Sequence, residues 1–316
     1  MEPWTSFWQH GHSTTFGAFF RNGYDGAIKH WWQHVIAGLP SHADILDVGC
    51  GNAALLIELL DSEQHGTYTG VDLAGVRINE AAKQKLKQQD GLTALLKSHT
   101  NAEDLPLESE SIDLVVSVFG IEYSDLQHSL PEAVRVLRRG GSLHSLMHAA
   151  ESVISTMSVR ALSEFQDDDM NTIVASLRVI DQQLNELRVP NRLKQSQSAE
   201  AARTRLNNLA QKYMRDLNPD SGNAIMVQFV GDALKFFKLL KQSDSVRSQY
   251  IDGLETEFQA SRHRYTAMAE AAKSEIDVVE VERLLQEQKC EAITIKKFFA
   301  DKDQKELGGW NVSVRK

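Results

Sequence analysis

The sequence predicts an α/β protein built on a doubly wound open sheet and interrupted by a large all-α insertion. Three observations carry that prediction. The run Ile45–Leu56 reads as strand, glycine turn and helix start, and further strand-like runs follow it at βαβ spacing. Glycine then nearly vanishes: only Gly222, Gly231 and Gly253 fall between Ser142 and Glu306, which reads as long helices.

The turn is Asp47-Val48-Gly49-Cys50-Gly51-Asn52-Ala53. Glycines there permit positive φ and close ligand approach, and a helix N-terminus offers unpaired N–H groups. An adenosine-bearing cofactor is the expected occupant, held against bare backbone. Gly49, Gly51 and Ala54 also satisfy the G-x-G-x-x-G/A spacing of dinucleotide-binding folds, so the fragment alone leaves a nicotinamide-dependent oxidoreductase open. Asp47 weighs against it, because a carboxylate at the end of the first strand receives a ligand ammonium group and repels a pyrophosphate. Its plainer role is to cap the next helix.

At these residues the chain resembles the class I S-adenosylmethionine-dependent methyltransferases, whose first motif, acid-x-Gly-x-Gly-x-Gly, is matched by Asp47 through Ala53, with Ala53 in place of the third glycine. Tyr68–Asp72 reads as a second strand ending in an acid, with Asp72 the expected ribose ligand and Leu73 lying near the adenine. Ser98–Pro106 resembles the loop after the third strand, where Asn101 replaces the usual aspartate and still offers an oxygen to the adenine amino group. Ser111–Phe119 resembles the fourth strand, followed by Gly120-Ile121-Glu122-Tyr123. A fifth strand is expected over Ser142–Met147, and Cys290–Ile295 and Trp310–Val314 look like a closing strand pair. The resemblance therefore implies a seven-stranded Rossmann-like methyltransferase sheet. It also implies that S-adenosylmethionine is held by Asp47, Gly49, Cys50, Gly51, Asp72, Leu73, Asn101, Ala102 and Phe119.

The expected organisation is an aromatic-rich N-terminal helical cap (1–43), the cofactor-binding core (44–154), the helical insertion (155–275) and a C-terminal helix with the closing strand pair (276–316). Nine of the twenty-three aromatic residues fall before position 33. The stretch from Trp8 to Tyr24 is expected to fold over the cofactor, with Phe16 and Phe20 touching the acceptor, while Trp31, Trp32 and Ile36 are spaced to pack a helix on the sheet. In the insertion, Ile173, Leu177, Ile180, Leu184 and Leu187 alternate steps of four and three, as do Ile251, Leu254 and Phe258. Such a seam suits either a substrate lid or a homodimer contact.

A sulfonium methyl is already activated, so the protein supplies orientation and desolvation, and a general base where the acceptor is an alcohol, phenol or ammonium. His148, just past the fifth strand, is the first candidate base by its neutral-range pKa; Glu122 and Tyr123 follow. The expected reaction is methyl transfer to an O or N atom of a small molecule. A catalytically silent methyltransferase-like scaffold, binding a partner through the insertion, is the rival.

A formal charge of −9 argues against a nucleic-acid partner, since phosphate binding calls for a Lys/Arg surplus. Cys50 and Cys290 stand far apart and suggest no disulfide framework, and no metal-ligand spacing occurs. Without a secretory leader or an apolar run of membrane length, the expected setting is the cytoplasm, with no membrane partner.

Overall fold

A computed structural model describes the chain except residues 1–2, 16–22, 63, 89–90, 219–221 and 302. It divides into two compact units, one formed by 1–157 with 267–316 and the other by 158–266.

The first unit holds a seven-stranded sheet. In chain order its strands are β1 (His42–Val48), β2 (His65–Asp72), β3 (Leu92–Ser98), β4 (Ile112–Val118), β5 (Leu137–Met147), β6 (Glu291–Phe299) and β7 (Leu307–Arg315), arranged β3-β2-β1-β4-β5-β7-β6. The first five run parallel, and β7 inserts antiparallel between β5 and β6.

Parallel strands buried on both faces read as near-continuous apolar runs, and β1 and β4 do so here. Within β1, Leu46 and Val48 join one core while Ile45 joins the other; within β4, Val115 faces the first core, and Leu114, Val116 and Val118 the second. Helices α2 (Gly26–Ala37), α3 (Ala54–Leu60) and α4 (Glu80–Leu86) cover one face, with Trp32 1% exposed and its indole N–H donated to the Leu55 carbonyl at 2.9 Å. On the other face lie α5 (Leu126–Val136) and α11 (Glu275–Glu287), the latter opened by a Ser274/Asp277 capping box. A short α1 (Pro3–Gln9) precedes them all. The direction of winding reverses between β1 and β4, and there an open α/β sheet leaves a crevice at its carboxyl edge.

Residues 158–266 contain most of α6 (Val153–Glu164), then α7 (Asp167–Leu187), α8 (Gln197–Met214), α9 (Ala224–Lys235) and much of α10 (Asp244–Ala271). The periodic residues Ile173, Leu177, Ile180 and Leu184 of α7 and Ile251, Leu254 and Phe258 of α10 are buried in this unit's own core, against Leu206, Phe229 and Phe236. The seam closes within the chain and offers no free stripe to a second copy. A buried ion pair fixes the register of α7 against α10: Arg247 meets Asp181 at 2.5 Å and also reaches Asn185 and the Gln242 carbonyl.

Candidate functional site

Between β1 and α3 the chain turns through three successive left-handed residues flanking Cys50 and Asn52: Gly49 (φ +72°), Gly51 (φ +49°) and Ala53 (φ +59°). Ala53 thus adopts at the third motif position the conformation a glycine would take freely, at a cost of roughly 1–2 kcal/mol. The turn's N–H groups are not open, as a bare helix start would leave them. Gly49 and Cys50 both donate to the Val71 carbonyl, at 2.9 and 3.1 Å, and Gly51 donates to Asp72 Oδ2 at 2.8 Å. The turn curls over the end of β2, and that strand consumes its donors.

Two contacts explain the glycines. A Cβ on Gly49 would lie 2.6 Å from Gly120 Cα, and one on Gly51 would lie 2.6 Å from the Trp8 indole. Gly120 follows β4, so the two loops at the crevice touch backbone to backbone. Trp8 belongs to α1, which is fastened over the turn: the Asn52 amide donates to the carbonyls of Trp8 (2.9 Å) and His12 (2.8 Å), Asn52 Oδ1 accepts from Arg77 N, and Thr5 Oγ1 accepts from Gly75 N.

Beside the turn lies a cavity of about 340 Å³, within the range of small-molecule sites. Gly49, Asp72, Leu73, Asn101, Ala102, Phe119 and Tyr123 line it, and so do Trp4, Trp8, Thr15, Gly120 and Glu103. The Asp72 carboxylate is aimed by two backbone donors, Gly51 N and Ala74 N, each at 2.8 Å. An acid so placed suits a ribose diol, and the glycine turn leaves no side chain between it and the cavity, so the residues present fit an adenosine-bearing cofactor. Trp4 stacks on Trp8 with centroids 6.2 Å apart and meets the Tyr123 ring edge-on at 5.8 Å.

The remaining predicted residues lie behind this surface. Asp47 and Cys50 line a smaller cavity of about 10 Å³ with Thr15 and Tyr24, room for about one water. Asp47 accepts the Tyr68 hydroxyl at 2.5 Å, and burial pushes its carboxyl up to about 7 despite that bond. Burial also holds the Cys50 thiol well above its ordinary range. Glu122 and Tyr123 sit on a 3-10 turn (Ile121–Tyr123) after β4. Glu122 is 2% exposed; burial raises its carboxyl to about 7, although Oε1 accepts the His148 N–H at 2.8 Å. His148 is fully buried and stacks on Phe119 at 4.5 Å, and burial depresses its imidazole to about 3. Neither Glu122 nor His148 lines the cavity; Tyr123, next to both, does. Among the described residues, Glu122 Oε2, the Tyr123 hydroxyl and both His148 ring nitrogens are buried without a hydrogen-bond partner. Phe119, between the His148 ring and the cavity, takes a left-handed φ of +54°. Phe16 and Phe20 fall outside the described residues.

Trp8 opens the stretch expected to fold over the cofactor, whereas Trp4, Asn52 and Gly120 were not picked out as site residues. The signal for Trp4 was the N-terminal aromatic density; for Gly120 it was a glycine directly after a strand.

The strand order, the antiparallel β7 and the glycine turn at the switch point are those of a class I Rossmann-like methyltransferase sheet. S-adenosylmethionine is the cofactor of the class. Residues 46–145 match the family model described as "Methyltransferase domain". The chain is 30% identical over 154 residues to the ubiquinone/menaquinone biosynthesis C-methyltransferase UbiE of Agrobacterium fabrum, covering 44% of this chain and 58% of that one. It is 30% identical over 157 residues to the U6 snRNA (guanine-N(2))-methyltransferase THUMPD2 of Mus musculus, covering 45% of this chain and 29% of the relative. The alignments thus span less than two thirds of these relatives. A solved SAM-dependent methyltransferase of Methanosarcina mazei aligns over 90% of this chain and 96% of its own, at 13% identity and a TM-score of 0.39.

One expectation is corrected here. Net charge argued against a nucleic-acid partner, yet a relative named as an RNA methyltransferase is 30% identical over 157 residues. A whole-chain charge does not describe a local surface, so the exclusion does not hold. Among the described residues no helix is long and apolar enough to cross a membrane.

Proposed function

We propose that this chain transfers the methyl group of S-adenosylmethionine to an O or N atom of a small acceptor seated against Trp4, Phe119 and Tyr123. The observation that carries this reading is the group of buried polar atoms without partners among the described residues, the Tyr123 hydroxyl on a residue that lines the cavity and, behind it, Glu122 Oε2 and the His148 nitrogens. Unpaired buried polar groups cost about 1–3 kcal/mol each, so their retention beside a ligand site favours an acceptor with a proton to give. A carbon acceptor would use fewer of them.

When bound, the cofactor supplies a methyl group already activated on a sulfonium. Asp72 and the Gly49 turn orient the adenosine end, and the indoles of Trp4 and Trp8 exclude water from the reacting end. Tyr123 presents its hydroxyl to the acceptor. Glu122, with a carboxyl near 7, is better matched to proton acceptance at neutral pH than His148, whose burial holds it neutral far below that range. His148 fixes Glu122 through its backbone N–H and supports Phe119 from behind.

A nucleobase within RNA is a second acceptor class, favoured by the 30% identity to a methyltransferase named for guanine N2. Calorimetric titration with S-adenosylmethionine and S-adenosylhomocysteine, on wild type and Asp72→Asn, tests the cofactor assignment. Binding that weakens about ten-fold or more in the variant supports it; absence of binding to the folded wild type refutes it. Labelled-methyl transfer to phenols, amines and RNA then separates the acceptor classes.

A further inference from the structure

We propose that the helical unit carries a nucleic-acid-binding face, formed by the 3-10 turn Pro190–Gln195 and the outer side of α8. The inference rests on this unit alone and not on the acceptor assignment. Across residues 188–215 the sequence places seven Lys/Arg, Arg188, Arg192, Lys194, Arg203, Arg205, Lys212 and Arg215, against one acid, Glu200. In a chain with 43 acids and a charge of −9, such a stretch is a local reversal of sign.

All seven cations are exposed. Elsewhere in the same unit several surface cations are matched, Arg178 with Asp252 and Glu255, Lys235 with Asp232, and Arg262 with Asp167, while among the described residues exposed Lys238 and Lys241 stand as an isolated pair of unmatched charges. Here the matching is incomplete. Lys212 meets Asp169 at 2.6 Å and Arg203 meets Glu200 at 2.6 Å, while Arg205 reaches only the Ser176 hydroxyl. Among the described residues Arg188, Arg192, Lys194 and Arg215 have no carboxylate partner. Glu186, also exposed near the turn, is engaged by Gln182 and Gln183.

The spacing suits a polyanion. Arg205 and Lys212 on α8 and Arg215 at its C-cap recur at seven and three residues, about 15 Å of helix, and the 3-10 turn directly precedes the helix in the chain. Between the cations stand exposed amides, Asn191, Gln195, Asn207 and Gln211, which hydrogen-bond phosphate, sugar and base edges. A membrane-surface helix would instead present an apolar face to the lipid, and the apolar face of α8, Ala202, Leu206 and Tyr213, is spent in this unit's core. The occupant this chemistry fits is a nucleic-acid backbone.

The test is fluorescence anisotropy of the full chain with labelled single-stranded RNA and DNA of one sequence, over a range of salt, for wild type and a variant carrying Arg188→Gln, Arg192→Gln, Lys194→Gln and Arg215→Gln. Among the described residues these side chains hold no ion pair, so the fold is expected to survive, and circular dichroism checks it. The proposal expects binding at low salt with a log–log slope near −3, from about −0.7 per neutralised phosphate on four cations. The variant should lose at least about ten-fold in affinity and most of that slope. Binding of both RNA and DNA, or of RNA alone, supports it. No wild-type binding at low salt, a variant equal to wild type, or binding to phosphatidylserine vesicles but neither oligonucleotide overturns it. S-adenosylmethionine titration of the same variant stays unchanged if only this face is altered, so the outcome is independent of the methyltransferase reading.

Discussion

Glu122 and Asp47 are two carboxyls that burial raises to about 7, and both sit within the shell of the cavity. The sign of their effect on stability follows from proton counting. In the folded chain each stays protonated up to about 7, whereas in the unfolded chain each ionises near 4, so between those values the folded state binds more protons. Stability is therefore fully supported at low pH and falls as pH rises toward 7. Glu122→Gln removes one such group and should flatten that fall, by an amount of order 3 kcal/mol, in urea denaturation at pH 5 and pH 8. Turnover runs the opposite way. If Glu122 accepts the acceptor's proton, kcat/KM rises with pH through about 7, and Glu122→Gln abolishes the inflection. His148→Gln, at a residue already neutral in this range, should leave the inflection where it is.

Asn52 ties the N-terminal helix to the glycine turn by hydrogen bonds, beside the packing of Trp8 on Gly51. Asn52→Ala removes the hydrogen bonds to Trp8 and His12 and leaves Arg77 N without its acceptor. A loss of about 1–3 kcal/mol is expected, with faster amide exchange confined largely to α1 and the segment up to His12. Unchanged exchange there would mean that aromatic packing and the Thr5–Gly75 and Arg77–Gln9 hydrogen bonds hold the helix without Asn52. At this scale the sequence was readable where one element contains its own explanation. Gly49, Asp72, Leu73, Asn101 and Phe119 stand at strand ends in chain order, so local pattern sufficed to bring them to one cavity. The same pattern read the turn's N–H groups as open and the α7 periodicity as a seam for a lid or a second copy. Both outcomes were decided by long-range packing, β2 taking the donors and α8, α9 and α10 covering the seam, which periodicity does not encode.

Two compact units in one chain predict two unfolding events. A ligand raises the stability of only the unit that binds it, by about 2.7 kcal/mol at a hundredfold excess over Kd. Calorimetry with S-adenosylhomocysteine should therefore shift one transition and leave the other. Asp181→Asn, which strips Arg247 of its buried charge partner, should lower the second by about 3–5 kcal/mol without weakening the ligand. A single transition moved by both would refute the separation. The touching loops after β1 and β4 have a consequence of another kind, for inheritance. A Cβ on Gly120 would lie 2.7 Å from the Val48 carbonyl and 2.9 Å from Gly49 Cα, and one on Gly49 would meet Gly120 as closely. Most damaged contacts can be repaired by trimming the neighbour, but here the neighbour is already the smallest residue there is. No second-site suppressor is open at this crossing, and across any lineage that retains the turn both positions should stay glycine.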